Sequence, residues 1–221
     1  MKTPIFIGVF CFQTLHYVKI YIYTYITNKN MKKSKIIIIA GPTGCGESTV
    51  TKEIIKKFPK FKRLVTATTR MPRLNEKNKI DYYFFSKKRF KNEIEKGNIL
   101  EYTYIKNRDT YYGTYKKDLE KKLNSGFSLI INPDVIGAKF FKENYRAVTI
   151  FVKPESIESL KKRLMDRDPN ISQTELKKRL ENAKKEIKNE ERFYDYTIIN
   201  KYGKLNQAVK EVIKIIKKNN V

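Results

Sequence analysis

Histidine is nearly absent from this sequence of 221 residues: its one imidazole is His16, and none follows Asn30. Tryptophan is missing altogether, and the two cysteines, Cys11 and Cys45, fall on opposite sides of that same boundary. These absences remove whole classes of chemistry from the body of the chain. Ser-His-Asp hydrolysis, Cys-His proteolysis and His-ligated zinc all need groups that are not there. A single cysteine after Asn30 closes no internal disulfide, so a reducing, cytoplasmic compartment is expected. Acidic residues are also scarce, with 48 Lys+Arg against 23 Asp+Glu and a formal net charge of +25. The hydrophobic run at residues 4–12 is too short to cross a bilayer.

What remains is 40% hydrophobic and 13% aromatic, enough for one domain with a packed core and too much for a disordered chain. A basic surface serves nucleic acid, anionic membrane or polyphosphate ligands, and charge alone does not choose among them. Many lysines sit in Ile/Lys/Asn-rich stretches, the vocabulary of an AT-rich coding sequence, so compositional drift explains the charge equally well. No specific nucleic-acid partner is expected.

Residues 1–30 contain no acidic residue and are rich in Phe and Tyr, whereas the chain is strongly charged from Met31 onward. Met31 followed by Lys-Lys-Ser-Lys and an apolar run reads as a second plausible start. The first thirty residues are then an upstream extension without function, a peripheral or membrane-tethering segment, or a targeting segment. A membrane partner is expected only if they act as a tether.

From residue 31 to 221 the pattern is one α/β domain. Residues 35–40 (KIIIIA) form a continuous β-branched run, as expected of a parallel strand buried on both faces. It leads into Gly41-Pro42-Thr43-Gly44-Cys45-Gly46-Glu47-Ser48-Thr49 and then a helical stretch at 50–58. Strand, glycine loop and helix are the context of a phosphate-binding loop: the glycines let backbone N–H groups converge on an anion, and a Ser at position 48 suits Mg²⁺. Further parallel strands are expected at 64–66, 127–131, 147–152 and 196–199. Helices are expected at 115–123, 135–143, 156–165, 173–190 and 205–218, with Pro133, Pro154 and Pro169 as punctuation. The segment from about 70 to 114 breaks the rhythm. It reads as an inserted small antiparallel lobe with a short helix near 87–96.

That lobe carries the most specific chemistry. Thr66-Ala-Thr-Thr-Arg70-Met-Pro-Arg73 sets two arginines three apart on a Pro-stiffened segment, suited to gripping one phosphate from two sides. Asp81-Tyr82 and Tyr111-Tyr112-Gly113-Thr114 add hydroxyls to such a grip. Glu101, after an apolar strand, supplies a carboxylate able to accept from the N1–H and exocyclic amine of guanine, a donor pair that adenine does not present.

With these motifs in order, the chain after Met31 resembles the guanylate kinase family. The resemblance continues through Asp134-Val-x-Gly137-Ala, Leu160-x-x-Arg163-Leu-x-x-Arg167, Lys178-Arg179-Leu180 and Tyr194-Asp-Tyr196-Thr-Ile-Ile-Asn200. It implies a parallel-sheet core of the P-loop type with a GMP-binding lobe at about 70–114 and a helical lid at about 163–179. It implies transfer of the ATP γ-phosphoryl group to GMP with Mg²⁺. Carried over residue by residue, Thr66, Arg70, Arg73, Tyr82, Glu101, Tyr112, Thr114 and Asp134 fall on GMP-binding positions. The loop from Gly41 to Thr49 falls on the ATP phosphates, Asn200 near the adenine, and Arg163, Arg167 and Arg179 on lid arginines converging on the transferred group. Phosphoryl transfer suits a chain without His, because positioning and electrostatic stabilisation carry it.

The family pattern is broken at Asn132, Ile136 and Asp168-Pro169, and most seriously at Glu47, which stands where the loop lysine is expected. Lys to Glu reverses the charge beside the β- and γ-phosphates. The implied kinase is therefore expected to be impaired, with a catalytically silent nucleotide- or protein-binding module of the same fold as the alternative. Lys52, five residues on, is the only nearby lysine that could bend a cation back.

Overall fold

The structure, a computed structural model, describes residues 34–74 and 76–220, so the readings of residues 1–30 lie outside the described residues. Its centre is a five-stranded sheet in the order β2-β7-β1-β8-β9, every neighbouring pair parallel. The strands are β1 (Ile36–Ala40), β2 (Phe61–Arg63), β7 (Ser128–Ile131), β8 (Val148–Lys153) and β9 (Tyr196–Ile199). Alternation along them builds two cores at once: Ile37 and Ile39 face one hydrophobic cluster with Ile130, Ile150 and Val152, while Ile36 and Ile38 face the other with Leu129, Ile131 and Phe151. A sheet buried on both faces needs helices on both, and the apolar β-branched runs are the sequence form of that requirement.

The first core is closed by α1 (Glu47–Lys57), α5 (Ile157–Arg167), α6 (Gln173–Glu190) and α7 (Leu205–Lys218), through residues such as Val50, Ile54, Leu164, Leu176, Val209 and Val212. The second is closed by α3 (Lys116–Asn124) and α4 (Val135–Tyr145), through Leu119, Ala138 and Phe141. Among the described residues no helix is long and apolar enough to cross a membrane.

A second sheet, in the order β4-β3-β6-β5, comprises β3 (Ala67–Thr68), β4 (Tyr83–Phe84), β5 (Ile99–Ile105) and β6 (Thr110–Tyr115), covered by α2 (Lys87–Glu95). Its own small core is aromatic, with Phe85 and Tyr115 meeting edge to face at 5.3 Å beside Phe90, Ala67 and Ile99.

Two expectations are corrected. The second parallel strand lies at Phe61–Arg63, not 64–66; Lys62 and Arg63 mask it, because an edge strand buries only Phe61 fully and leaves its neighbours half-exposed. Residues 64–66 instead cross between the sheets, with the Val65 N–H donating to the buried Asp118 carboxylate at 2.9 Å. The small sheet is mixed rather than antiparallel, since β3 and β4 run parallel while β3–β6 and β5–β6 are antiparallel.

Candidate active site

The strand order reverses direction around β1, which lies between β7 and β8, and the carboxyl edge at such a switch point is where α/β sheets take ligands. Leaving β1, the chain enters the glycine loop at once. A Cβ on Gly41 would lie 2.1 Å from the Val152 carbonyl oxygen, so only glycine lets the loop start this close to β8. Gly46, at φ 91°, is the N-cap of α1 and offers no side-chain acceptor, whereas Ser86, Asp134, Ser156 and Ser172 each cap their own helix. The first turn of α1 is therefore left without a cap from the preceding residue, and the Glu47 carboxylate takes up the N–H groups of Gly46 and Glu47.

The loop forms one wall of a cleft of ≈ 570 Å³ whose opposite wall is the small sheet. The cleft brings together Gly41, Thr43, Gly44, Glu47 and Ser48 from the loop, Thr66, Arg73, Tyr82, Glu101 and Tyr112 from the small sheet and its connections, Asp134, and Arg167 and Arg179 from α5 and α6. Glu101 is aimed by a bulge: the β5–β6 register shifts between Ile99 and Tyr102, and opposite lies Gly113, where a Cβ would stand 2.6 Å from the Glu101 carbonyl oxygen. Thr114, fully buried, donates its hydroxyl to Glu101 Oε1 at 2.6 Å, leaving Oε2 without a protein donor among the described hydrogen bonds.

Other expected site residues are not on the cleft wall. Pro42 and Cys45 are buried in the loop's underside, and Thr49 is exposed on α1. Asn200 is buried and donates through Nδ2 to the Cys45 carbonyl at 2.7 Å. Arg163, expected to converge on the transferred group, spends Nη2 on the Asn200 carbonyl at 2.5 Å and Nη1 on the Cys45 carbonyl at 3.4 Å. It braces the loop from behind. Arg70 turns to Glu76, and Lys52 is exposed and absent from the cleft lining, so it supplies no substitute cation.

Helix α6 contributes residues that the sequence reading missed: Asn182, Glu186 and Glu190 line the cleft with Arg179. Their spacing of three, four and four places all on one helical face, a signal present in the sequence and hidden by the Lys-rich surroundings. Asn132 lines the cleft as well. Its Nδ2 is committed to the Ile39 carbonyl at 2.8 Å and to Thr51 Oγ1 at 2.9 Å, and its Oδ1 is buried without a partner among the described residues.

Five carboxylates in one cleft perturb one another. Burial pushes Glu101 up to about 7, opposed by the Thr114 hydrogen bond and assisted by Asp134. Burial likewise pushes Glu47 up to about 7, opposed by the backbone N–H groups of Glu47 and Gly46 and by Arg167. Glu186 reaches about 7 through burial and the charges of Glu190 and Glu47. A carboxylate whose pKa is higher folded than unfolded contributes stability that is present below the unfolded value and lost as pH rises through the folded one. The window here runs from 4.5 to about 7. The melting temperature is therefore expected to be lower at about pH 8 than at about pH 5.5. Glu101→Gln should narrow the difference; an unchanged difference in differential scanning fluorimetry would remove Glu101 from the account.

Comparison with known proteins places this geometry. The family model described as "Guanylate kinase" matches residues 33–219. The chain is 37% identical over 190 residues to a guanylate kinase of Prochlorococcus marinus, covering 86% of this chain and 99% of that protein. It is 38% identical over 192 residues to one of Clostridioides difficile, covering 86% and 92%. Among solved structures, a guanylate kinase from Anaplasma phagocytophilum superposes with a TM-score of 0.66 at 28% identity, covering 85% of this chain and 87% of that one.

Proposed function

The chain belongs to the guanylate kinase family, and from that premise we propose that it transfers the γ-phosphoryl group of ATP to GMP, giving ADP and GDP. The observation that carries the reading is the Glu101 carboxylate, fixed by Thr114 in a bulge across the cleft from the glycine loop. Oε2 is left to accept from guanine, and the arginine-bearing segment after Thr66 supports the monophosphate. Tyr82 and Tyr112 offer hydroxyls to the same phosphate, and Asp134 lines the guanine end.

On the donor side, the Gly41–Thr49 loop and the first turn of α1 hold the ATP phosphates, with Asn200 beneath the adenine end. The Ser48 hydroxyl and the orphaned Oδ1 of Asn132 are hard oxygen donors on the cleft wall, a set that fits Mg²⁺ and its water ligands. When bound, Mg²⁺ neutralises charge on the phosphates. The protein's own part is to hold donor and acceptor in line, expel water as the segment between Arg163 and Arg179 closes as a lid, and present Arg167 and Arg179 to the developing charge. A cytoplasmic setting accords with ATP as co-substrate and with the free thiol of Cys45.

A coupled ADP-release assay with ATP, Mg²⁺ and each nucleoside monophosphate in turn tests the reading, with turnover expected on GMP and little on AMP. Glu101→Ala is expected to raise the KM for GMP and to reduce the preference for GMP over AMP by roughly a hundredfold, since a site built around one hydrogen-bonding pair discriminates through it. An unchanged preference in that variant would reassign guanine recognition elsewhere.

A further inference from the structure

The Arg70 guanidinium and the Arg73 backbone N–H meet on one carboxylate, Glu76. Glu76 Oε2 accepts from Arg70 Nη1 at 2.8 Å and Oε1 accepts from Nη2 at 2.9 Å, so the carboxylate occupies the end-on edge of the guanidinium. Nη1 places its other proton on the Met71 carbonyl at 2.7 Å. Glu76 Oε2 also accepts from the Arg73 backbone N–H at 2.7 Å, while the Glu76 N–H donates to the Arg73 carbonyl at 3.0 Å, closing a turn around the second arginine. The Arg70 guanidinium lies over the rings of Tyr82 and Phe84, with centroids at 5.3 and 5.8 Å, and the Tyr112 hydroxyl reinforces its charge.

The donors left over are informative. Arg70 carries five N–H groups, and Glu76 and Met71 account for three. The two remaining are Nε–H, which is buried and has no partner among the described residues, and one proton of Nη2, with the Tyr112 hydroxyl a further hydrogen-bond partner of the guanidinium. They share the side-on edge of the planar fork, the other edge on which a guanidinium takes an oxyanion with two parallel bonds. A buried guanidinium N–H without an acceptor is costly unless something arrives to accept from it.

We propose that Glu76 is a positioning residue for the acceptor monophosphate: by taking the end-on edge of Arg70 and the backbone of Arg73, it leaves the side-on edge of Arg70 as the phosphate-binding face. The inference rests on the GMP reading above and extends it to a pair, Arg70 and Glu76, that stands behind the cleft lining of Arg73, Tyr82 and Tyr112. Its sign is opposite to that of a simple charge argument. A carboxylate near a phosphate repels it, so removing Glu76 would tighten GMP if the carboxylate were only a competing anion. If it holds the fork in place, removing it loosens GMP, because an unanchored arginine must be ordered on binding.

Calorimetric titration of GMP and of guanosine into the unaltered protein, Glu76→Gln and Glu76→Ala separates these cases. Positioning predicts a loss of GMP affinity of roughly tenfold or more, with guanosine affinity unchanged, so that the advantage conferred by the phosphate collapses. In steady state the KM for GMP should rise while kcat at saturating GMP and the KM for ATP hold. On an Arg70→Ala background Glu76→Ala should cost much less than on the unaltered one, because the two changes remove the same interaction. Equal or tighter GMP binding would overturn the proposal, as would parallel losses for GMP and guanosine, the mark of a general structural defect. Failure of the unaltered protein to bind GMP would instead overturn the functional reading, and would be seen before any variant was compared.

Discussion

Glu47→Lys is expected to raise kcat/KM for ATP by roughly two to three decades, the largest gain that one substitution offers this protein. Residue 47 opens α1 directly after the left-handed Gly46, and its side chain lines the cleft on the side of the glycine loop. The carboxylate lies against the N–H groups of Gly46 and of its own residue, which hold its pKa down while burial drives it up to about 7. It thus sits on part of the anion cradle that the loop presents to the donor phosphates. One unit charge pair at about 4 Å and an effective dielectric near 20 is worth on the order of 4 kcal/mol, and Lys to Glu changes the charge by two units. Screening by solvent and by Mg²⁺ reduces that to an effect of about 3 to 4 kcal/mol. Lys52 is exposed and does not offset it.

The Glu47 carboxylate also gives the donor side a pH dependence. Protonation of Glu47 removes the repelling charge, and with a folded pKa of about 7 that happens within the accessible range. The KM for ATP of the unaltered enzyme should fall as pH is lowered from about 8 to about 6, a trend absent from the lysine variant. Steady-state kinetics at saturating GMP measure both. A gain of less than about threefold would mean that the arginines of the cleft already neutralise the donor phosphates as well as the loop lysine would.

Much of this architecture was legible in the chain because single residues do two jobs there. The run Ile36–Ala40 is both a fully buried strand and the lead-in to the glycine loop, so one pattern marked the centre of the sheet and the edge of the cleft together. Helix α6 at Gln173–Glu190, helix α7 at Leu205–Lys218 and strand β9 at Tyr196–Ile199 carry the boundaries expected of them, since each is bounded by polar or turn-forming residues. Strand β2 was not legible, because at a sheet edge Lys62 and Arg63 are as acceptable as valine. The parallel pairing of β3 with β4 is set by a connection of fourteen residues, and no local pattern specifies it.

The site divided in the same way. The sequence offers residue types that a phosphate or base would need, but not how the protein occupies them in its own interior. Arg163 and Arg167 are one helical turn apart and of the same residue type, yet only one reaches the cleft: the carbonyls of Cys45 and Asn200 take the other, and backbone acceptors carry no signal in a sequence. Glu76 was invisible for a similar reason. In the polar run 75–79 its carboxylate looks like any solvated surface group until the Arg70 guanidinium and the Arg73 backbone fold onto it.

Opposite outcomes are therefore expected for Arg163 and Arg167. Arg167 ends α5 and lines the cleft with Arg73 and Arg179. Burial and the charges of Arg179 and Arg73 pull its pKa down, with only Glu47 and Asp168 opposing them. Without substrate, then, Arg167 feels the charges of Arg179 and Arg73, although Glu175 pairs with Arg179 at 2.8 Å, and that repulsion is relieved as negative charge gathers on the phosphoryl group in flight. Stabilisation that strengthens toward the transition state appears in kcat. Arg167→Ala is accordingly expected to lower kcat by about a thousandfold while leaving the KM for GMP within a few-fold, as for a donor aimed at the transferring phosphoryl group. Arg163→Ala removes two bonds that tie the glycine loop to β9, so its effect should appear as a lower melting temperature and a weaker KM for ATP. A loss of kcat of the same size in both variants, with melting temperature unchanged, would mean that Arg163 leaves its carbonyls when substrates bind and that both arginines act on the phosphoryl group.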